Sequence, residues 1–144
     1  MKVSMKGDYG VRALIELAHH YGEGPVQSAV IAGRQSIPEP YLDQLLTSLR
    51  RAGIIRSVRG PQGGHALIRD PRDLRLSEEI IALEGSLAPI SCLDDPAGCP
   101  KSPGCSLHEV WEEVHRATLK VLDGITIADL AEKEREASVA RYSI

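Results

Sequence analysis

Aromatic residues are scarce in this sequence: they make up 3% of its 144 residues, with no phenylalanine and one tryptophan. A hydrophobic core must therefore be built from Leu, Ile, Val and Ala, and the hydrophobic share of 42% is near the globular average. That composition favours helices over a β-sandwich. The length fits one compact domain, or a small domain with an oligomerisation arm.

The sequence also lacks a segment that would take it into or across a membrane. No run approaches the roughly 18 apolar residues that a membrane-spanning helix needs. No basic stretch followed by an apolar one marks a secretory signal. We therefore expect a cytoplasmic protein without a membrane partner.

Cysteine is scarce as well, and its count of three is odd. A disulfide framework would spread an even number of cysteines across the fold, whereas here all three lie between Cys92 and Cys105. In a reducing cytoplasm, clustered thiols more often bind a metal or respond to redox state.

The net charge of −3 is unevenly distributed. Segment 1–32 is neutral, segment 33–72 carries +4 and segment 73–144 carries −7. A locally basic stretch within an acidic protein suggests a face that binds a polyanion, although a solvated surface can have the same charge.

The first half of the chain is patterned as three helices and a hairpin. Apolar residues at helical spacing predict helices over 8–21, 27–34 and 39–52. Two β-type runs, 54–58 and 65–68, follow on either side of a glycine-rich turn. Two short helices joined by a tight turn and followed by a hairpin predict a winged helix-turn-helix, in a chain that is mainly α with a small β-hairpin.

The second half is predicted to be helix, loop and helix. Ser77 is placed as the N-cap of a helix reaching Leu83, and the loop that follows is long enough to suggest a function. A helix is predicted over 107–122, with a narrow apolar stripe along it. A short helical segment is predicted over 127–131, before a polar tail.

The exposed side of the third helix and the hairpin offer side chains suited to DNA. Gln44 can donate to and accept from adenine, and Asp43 can accept from the amino group of cytosine. An arginine near the wing can bind phosphate or enter a narrow minor groove. The candidate DNA-binding residues are Tyr41, Asp43, Gln44, Thr47, Arg50, Arg56, Arg59 and Gln62. Helices and hairpins of this kind also occur in enzymes and in protein-interaction modules.

The cysteines form the pattern C-x₆-C-x₅-C-x₂-H, made by Cys92, Cys99, Cys105 and His108. Soft thiolates select zinc, copper(I) or iron–sulfur clusters. Structural zinc usually uses more closely spaced pairs, whereas these wide spacings suit a loop wrapped around a larger object such as a cluster. A zinc site, a thiol redox switch and cysteines without a role are the alternatives.

Four segments resemble a known family, the IscR, NsrR and CymR group of winged-helix regulators, over essentially the chain to about residue 130. They are the N-terminal stretch 1–11, the third helix at 41–50, the wing at 58–64, and the cysteine triplet followed by His108. The resemblance implies a homodimer that binds palindromic double-stranded DNA, with the helix from Leu107 crossing its partner.

The ligand motif is most similar to that of IscR. This implies a [2Fe–2S] cluster held by the three cysteines and His108, whose state changes DNA binding, and hence sensing of iron–sulfur or redox status. The first cysteine gap is six residues here and five in IscR, while Pro40 and Asp43 replace Ser and Glu. Operator specificity therefore does not carry over.

Asp8 provides an alternative fourth ligand. It is similar to an acid that NsrR contributes from the partner chain to a [4Fe–4S] cluster sensing nitric oxide. Alternatively, the Asp8 carboxylate serves the first helix, either as its N-cap or as a first-turn acid that stabilises the positive end of the helix dipole. Parts of the chain also resemble CymR, a cluster-free repressor of cysteine metabolism, but CymR has no such cysteine triplet.

We accordingly divide the chain into four parts. They are a winged helix-turn-helix unit at 1–84, a cluster-binding loop at 85–106, a dimerisation helix with a short terminal helix at 107–131, and a polar tail at 132–144. No pairing of nucleophile and base, phosphate loop or carboxylate pair predicts an enzyme or a small-molecule substrate. His19, His20 and His115 are predicted to be solvated.

Overall fold

The computed structural model describes residues 2–98, 100–101 and 104–142. In this part of the chain the fold is mainly helical with one antiparallel hairpin, which confirms the predicted fold class. The helices and strands are α1 (Met5–His19), α2 (Ser28–Gln35), α3 (Glu39–Arg51), β1 (Ile55–Val58), β2 (Gly64–Leu67), α4 (Leu76–Glu84), α5 (Ser106–Asp123) and α6 (Ile127–Tyr142). Short 3₁₀ turns lie at Pro71–Asp73, Ser91–Leu93 and Pro96–Gly98.

The core is centred on α1, which contacts α2, α3, α4 and α6. Leu14 and Leu17 of α1 are at most 1% exposed, and Leu42 and Leu49 of α3 are fully buried beside them. Ile127 of α6 is also fully buried in this core. The core is therefore aliphatic, as the scarcity of aromatic residues requires, and it includes the C-terminal helix.

Helices α1 and α4 pack closely because α1 has glycine where they meet. A Cβ atom on Gly10 would lie 2.4 Å from Leu83 Cδ1. At the start of α1, the carboxylate of Glu84 accepts hydrogen bonds from the backbone N–H groups of Ser4 (2.8 Å) and Gly7 (3.1 Å). A carboxylate there stabilises the positive end of the helix dipole, so α4 both buries and caps α1.

Three local predictions differ from the structure. Helix α1 begins at Met5 instead of residue 8, with Ser4 as its N-cap. Ser77 is not an N-cap: it lies inside α4, where its buried hydroxyl donates to the carboxylate of Asp123 at the end of α5. The short terminal helix ending at 131 is also wrong, since α6 continues to Tyr142 through most of the expected tail.

Among the described residues, none of the helices combines the length and the apolar character needed to cross a membrane.

Candidate functional site

Helix α3 presents a polar face opposite its buried leucines. Leu42, Leu45, Leu46 and Leu49 are at most 2% exposed, and Asp43, Gln44 and Arg50 on the other side are exposed to solvent. The amphipathic pattern of the sequence therefore determined correctly which side of α3 faces outward. A helix with such a polar face can lie in the major groove of DNA.

Two of the candidate side chains on α3 already have partners within the protein. The Thr47 hydroxyl donates to the carbonyl oxygen of Asp43 at 2.9 Å, so its lone pairs remain available to accept. The Tyr41 ring packs edge-on against Tyr9, with 5.6 Å between the ring centroids. Tyr41 thus also connects α3 to α1.

The hairpin forms the wing, with β1 paired to β2 from Ile55 opposite Leu67 to Val58 opposite Gly64. Its turn is closed by a hydrogen bond of 2.9 Å from Gly63 N–H to the Gly60 carbonyl. The predicted Arg56, Arg59 and Gln62 are all exposed on this wing. Cations and an amide there are placed to reach a DNA backbone next to the groove that α3 would occupy.

His65 holds the wing against the helix-turn-helix, a role that sequence reasoning missed. Its backbone pairs with Val26 through two hydrogen bonds of 2.8 Å. Its ring nitrogens lie 3.0 Å from the Ser28 hydroxyl of α2 and 2.8 Å from the Ser57 hydroxyl of β1. Burial first, and the nearby Arg50 cation second, lower the pKa of His65, while Asp43 raises it. A histidine directly after the wing glycines was the available signal.

Changing Gly63 to alanine is expected to weaken DNA binding. A Cβ there would lie 2.1 Å from the Val58 carbonyl oxygen, and because that atom is backbone, the turn must open. Loss of one or two wing contacts predicts a decrease in affinity of about tenfold to a hundredfold. The affinity is measured by fluorescence anisotropy, with a DNA sequence that has been selected in vitro for binding to the wild-type protein.

Gly124→Ala is the matched control for this prediction. A Cβ at Gly124 makes only ordinary contacts, 3.6 Å from the carbonyl oxygens of Lys120 and Val121, at the distant end of α5. Equal affinities of the Gly63 and Gly124 variants would show that the wing turn has no part in DNA binding.

The loop between α4 and α5 brings three of the predicted cluster ligands around one cavity. Cys92, Cys105 and His108 line a space of about 350 Å³ whose walls also include Ile90 and Trp111. Both cysteines are half-buried. The third predicted cysteine ligand, Cys99, lies outside the described residues.

His108 is oriented by contacts on both sides of its ring. Nδ1 lies 4.0 Å from the Cys92 sulfur, and Nε2 lies 3.7 Å from a carboxylate oxygen of Glu112, one turn along α5. A tetrahedral metal with bonds of about 2.3 Å to sulfur and 2.0 Å to nitrogen places the two ligand atoms about 3.5 Å apart. The observed separation is close to that value, and a carboxylate on the second ring nitrogen is a common partner of a metal-bound histidine.

Asp8 lies in the first turn of α1, and its carboxylate pairs with Arg12 at 2.9 Å. This arrangement agrees with the interpretation of Asp8 as a first-turn acid. A ligand role for Asp8 involves the other subunit, and it stays a prediction.

The expectation that three histidines are solvated is wrong for two of them. The His19 side chain is 15% exposed and contacts Glu134 of α6. The His115 ring has a buried Nδ1 atom. His20 is 30% exposed but lies 2.9 Å from the buried carboxylate of Glu16. The contact of His19 with Glu134 joins residues 115 positions apart, so local patterns could not indicate it.

Comparison with known proteins gives consistent matches over nearly the whole chain. The family profile described as Rrf2, "Iron-dependent Transcriptional regulator", matches residues 3–133. The HTH-type transcriptional regulator CymR of Bacillus subtilis is 38% identical over 131 residues, which cover 91% of this chain and 90% of that protein.

Solved structures lead to the same group. The structure of T. potens IscR superposes with a TM-score of 0.78 at 46% identity, covering 95% of this chain and 90% of that one. The structure of CymR (YrzC), the global cysteine regulator of B. subtilis, superposes with a TM-score of 0.77 at 38% identity, covering 92% and 98%. The similarity thus extends to proteins named IscR and to proteins named CymR.

Proposed function

The chain belongs to the Rrf2 family of transcriptional regulators, and on that premise we propose that it is a homodimeric repressor or activator whose DNA binding is controlled by an iron–sulfur cluster. The observation that carries the proposal is the convergence of Cys92, Cys105 and His108 on one cavity at the start of α5. Two sulfur donors and an imidazole are the donor set of an iron–sulfur or zinc centre. The residues present therefore fit the group.

Cys92, Cys99, Cys105 and His108 would hold the cluster, with the partner subunit's Asp8 as the alternative fourth ligand. When bound, the cluster supplies a redox-active centre whose state can report iron–sulfur supply or oxidation. A [2Fe–2S] form accords with the His108 ligand and a [4Fe–4S] form with the Asp8 alternative.

The proposed homodimer rests on the exposed apolar face of α5. None of the residues of α5 is buried within the chain, and Leu107, Val110, Val114 and Val121 are between 40% and 63% exposed. Apolar residues repeated along a helix at this exposure need a partner surface. A second α5 supplies one, and two DNA-binding units related by a two-fold axis suit palindromic DNA.

Control of DNA binding would act through α5 and α4. His108 is in the first turn of α5. The far end of this helix, about 22 Å from His108 at 1.5 Å per residue, is bonded to the start of α4. There, the Arg75 guanidinium donates to the Asp123 carbonyl at 2.8 Å, and Leu76 N–H donates to the Ile125 carbonyl at 2.8 Å. Because α4 packs on α1 in the core, a shift of α5 biases the DNA-binding unit.

Anaerobic purification tests this function directly. We expect a coloured protein that contains iron and acid-labile sulfide, and whose affinity for selected DNA changes when the cluster is removed. Mössbauer spectra of the wild type, His108→Ala and Asp8→Ala then name the cluster and its fourth ligand. A colourless chain that binds only zinc contradicts the proposal.

A cluster-free regulator controlled by thiols or by a partner protein is the second candidate. It is supported by the similarity to CymR in both sequence and structure. It predicts that oxidant changes the DNA affinity of the colourless wild type and has no effect after Cys92→Ala and Cys105→Ala changes. Equal affinities with and without oxidant in the wild type would contradict control by thiols.

A further inference from the structure

A group of side chains of the types that can ligate metal lies where α1, α2 and α6 meet, on different elements from the cysteine loop. Glu16 and His19 come from α1, Gln35 from α2 and Glu134 from α6. Glu16 is 1% exposed and Gln35 is 8% exposed. A carboxylate buried to this degree needs partners that compensate its charge, so the surroundings of Glu16 define what the group can do.

The side chains converge closely. His19 Nε2 lies 2.9 Å from Glu134 Oε1. The Gln35 amide nitrogen donates both to Glu16 Oε1 at 3.1 Å and to Glu134 Oε1 at 3.0 Å. One ligand atom from each of Glu16, His19 and Glu134 lies within 4.8 Å of the other two. Two carboxylates and an imidazole thus face a common centre.

We propose that Glu16, His19 and Glu134 form a binding site for a divalent transition-metal ion of the Zn²⁺ type. Zinc binds imidazole nitrogen and carboxylate oxygen at about 2.0–2.2 Å. In a tetrahedral site such ligand atoms are therefore about 3.5 Å apart. The donor atoms reach that spacing by small side-chain movements, without movement of the three helices.

Gln35 supplies the fourth ligand. Its amide nitrogen already lies between the two carboxylates, where it donates to both. The oxygen and nitrogen of an amide have nearly the same shape, so a half-turn of the terminal bond exchanges them. The carbonyl oxygen then faces the ion, and the protein provides one nitrogen and three oxygen donors.

The charge and access of the group suit a cation. Two carboxylates carry more negative charge than Arg34, whose Nε lies 3.8 Å from Glu16 Oε2. Arg135 lines the same side of the group, but its guanidinium pairs with Glu132 at 2.9 Å. His20 Nε2 occupies the same Glu16 oxygen at 2.9 Å, which holds that carboxylate in position. The Glu134 side chain is 41% exposed and gives an ion a path from solvent.

Binding here would cross-link α6 to α1. Both helices contribute to the same hydrophobic core, through Leu14 and Ile127. The ion would therefore stabilise the packing of the C-terminal helix, separately from any event at the cysteine loop.

Zinc titration of the full chain, with its cysteine centre loaded anaerobically, tests the proposal. Isothermal titration calorimetry compares the wild type with His19→Gln and Glu134→Gln, which keep hydrogen-bonding groups at these positions. His115→Gln on α5 is the matched control. We expect the wild type and the control to bind one additional Zn²⁺ per chain, with affinity lowered more than about tenfold in the two ligand variants. Equal Zn²⁺ binding by all four proteins would contradict the proposed site. Glu16, His19, Gln35 and Glu134 would then form only a hydrogen-bond network.

Co²⁺ gives a second measurement on the wild type, which does not depend on how the variants fold. Cobalt at the proposed site has only nitrogen and oxygen ligands and lacks the intense charge-transfer bands of cobalt thiolates. We expect one Co²⁺ per loaded chain without those bands, displaced by Zn²⁺. Cobalt that binds exclusively with thiolate bands, or not at all, contradicts the proposal.

Discussion

Replacing Cys105 with serine is expected to remove the iron and sulfide of the anaerobically purified protein. Cys105 directly precedes α5 and lines the same cavity as Cys92 and His108. Serine keeps the size of the side chain but exchanges a soft thiolate for a hydroxyl, which is a poor ligand for iron–sulfur clusters. We expect the iron content and visible absorption to decrease at least about tenfold.

The DNA affinity of this variant provides the second half of the prediction. If the cluster controls DNA binding, Cys105→Ser should bind DNA with the same affinity as the cluster-free wild type. Adding iron and sulfide while the variant is prepared should not change that affinity. Ser91→Ala is the control, because Ser91 lines the same cavity without a thiol. Iron content in the Cys105 variant equal to that of the control would contradict the assignment of Cys105 as a ligand.

A large effect on stability is expected at Glu79 of α4. This side chain is 2% exposed, and its Oε2 atom has no hydrogen-bond partner among the described residues. Burial, with a smaller contribution from Glu78, raises the pKa of Glu79 from 4.5 to about 7, and Arg69 opposes the shift. Burial of a carboxylate without a partner disfavours its charged form.

The direction of the pH dependence follows from this shift. Between pH 4.5 and about 7 the folded state keeps a proton that the unfolded state has lost. The contribution of protonated Glu79 to the free energy of unfolding is therefore complete below pH 4.5, and it is lost as the pH rises through 7. At 1.36 kcal/mol per pKa unit, the loss approaches about 3 kcal/mol.

Glu79→Gln removes this titration and keeps the shape of the side chain. We compare the free energies of unfolding of the variant and the wild type at each pH. From pH 4.5 to above pH 8, we expect their difference to change by up to about 3 kcal/mol in favour of the variant. Urea unfolding across this range measures the difference, and Glu113→Gln, at an exposed position of α5, is the control. Parallel pH profiles of the wild type and Glu79→Gln would show that Glu79 does not titrate in this range.

Helix α3 and the wing were predictable because their signals are local. The stripe of leucines in α3 identifies its buried side, since residues three and four apart share a helix face. The run 59–64 predicts the turn, and the structure shows why: Gly63 and Gly64 leave no room for a Cβ between the wing and the backbone of Val26 and Val58. Each inference used only neighbours within a few residues.

The length of α6 was not predictable in this way. Its residues beyond 131 are mostly charged and show no apolar stripe, so the sequence indicates a tail. In the structure, Ile127 and Ala131 are buried against α1. Packing of the first turns of α6 therefore supports a helix whose later part has little pattern of its own.

The sequence by itself indicated the family, through four segments that resemble it. Periodicity and spacing predicted the helix-turn-helix with its wing and the clustering of thiols, because these signals lie within short segments. Only the tertiary structure decided which side chains meet. It placed His108 beside Cys92, 16 residues away, and His19 beside Glu134, 115 residues away. It also buried Glu79, whose Oε2 atom has no hydrogen-bond partner among the described residues. Those outcomes depend on how helices pack across the core, and neither composition nor periodicity reports that packing.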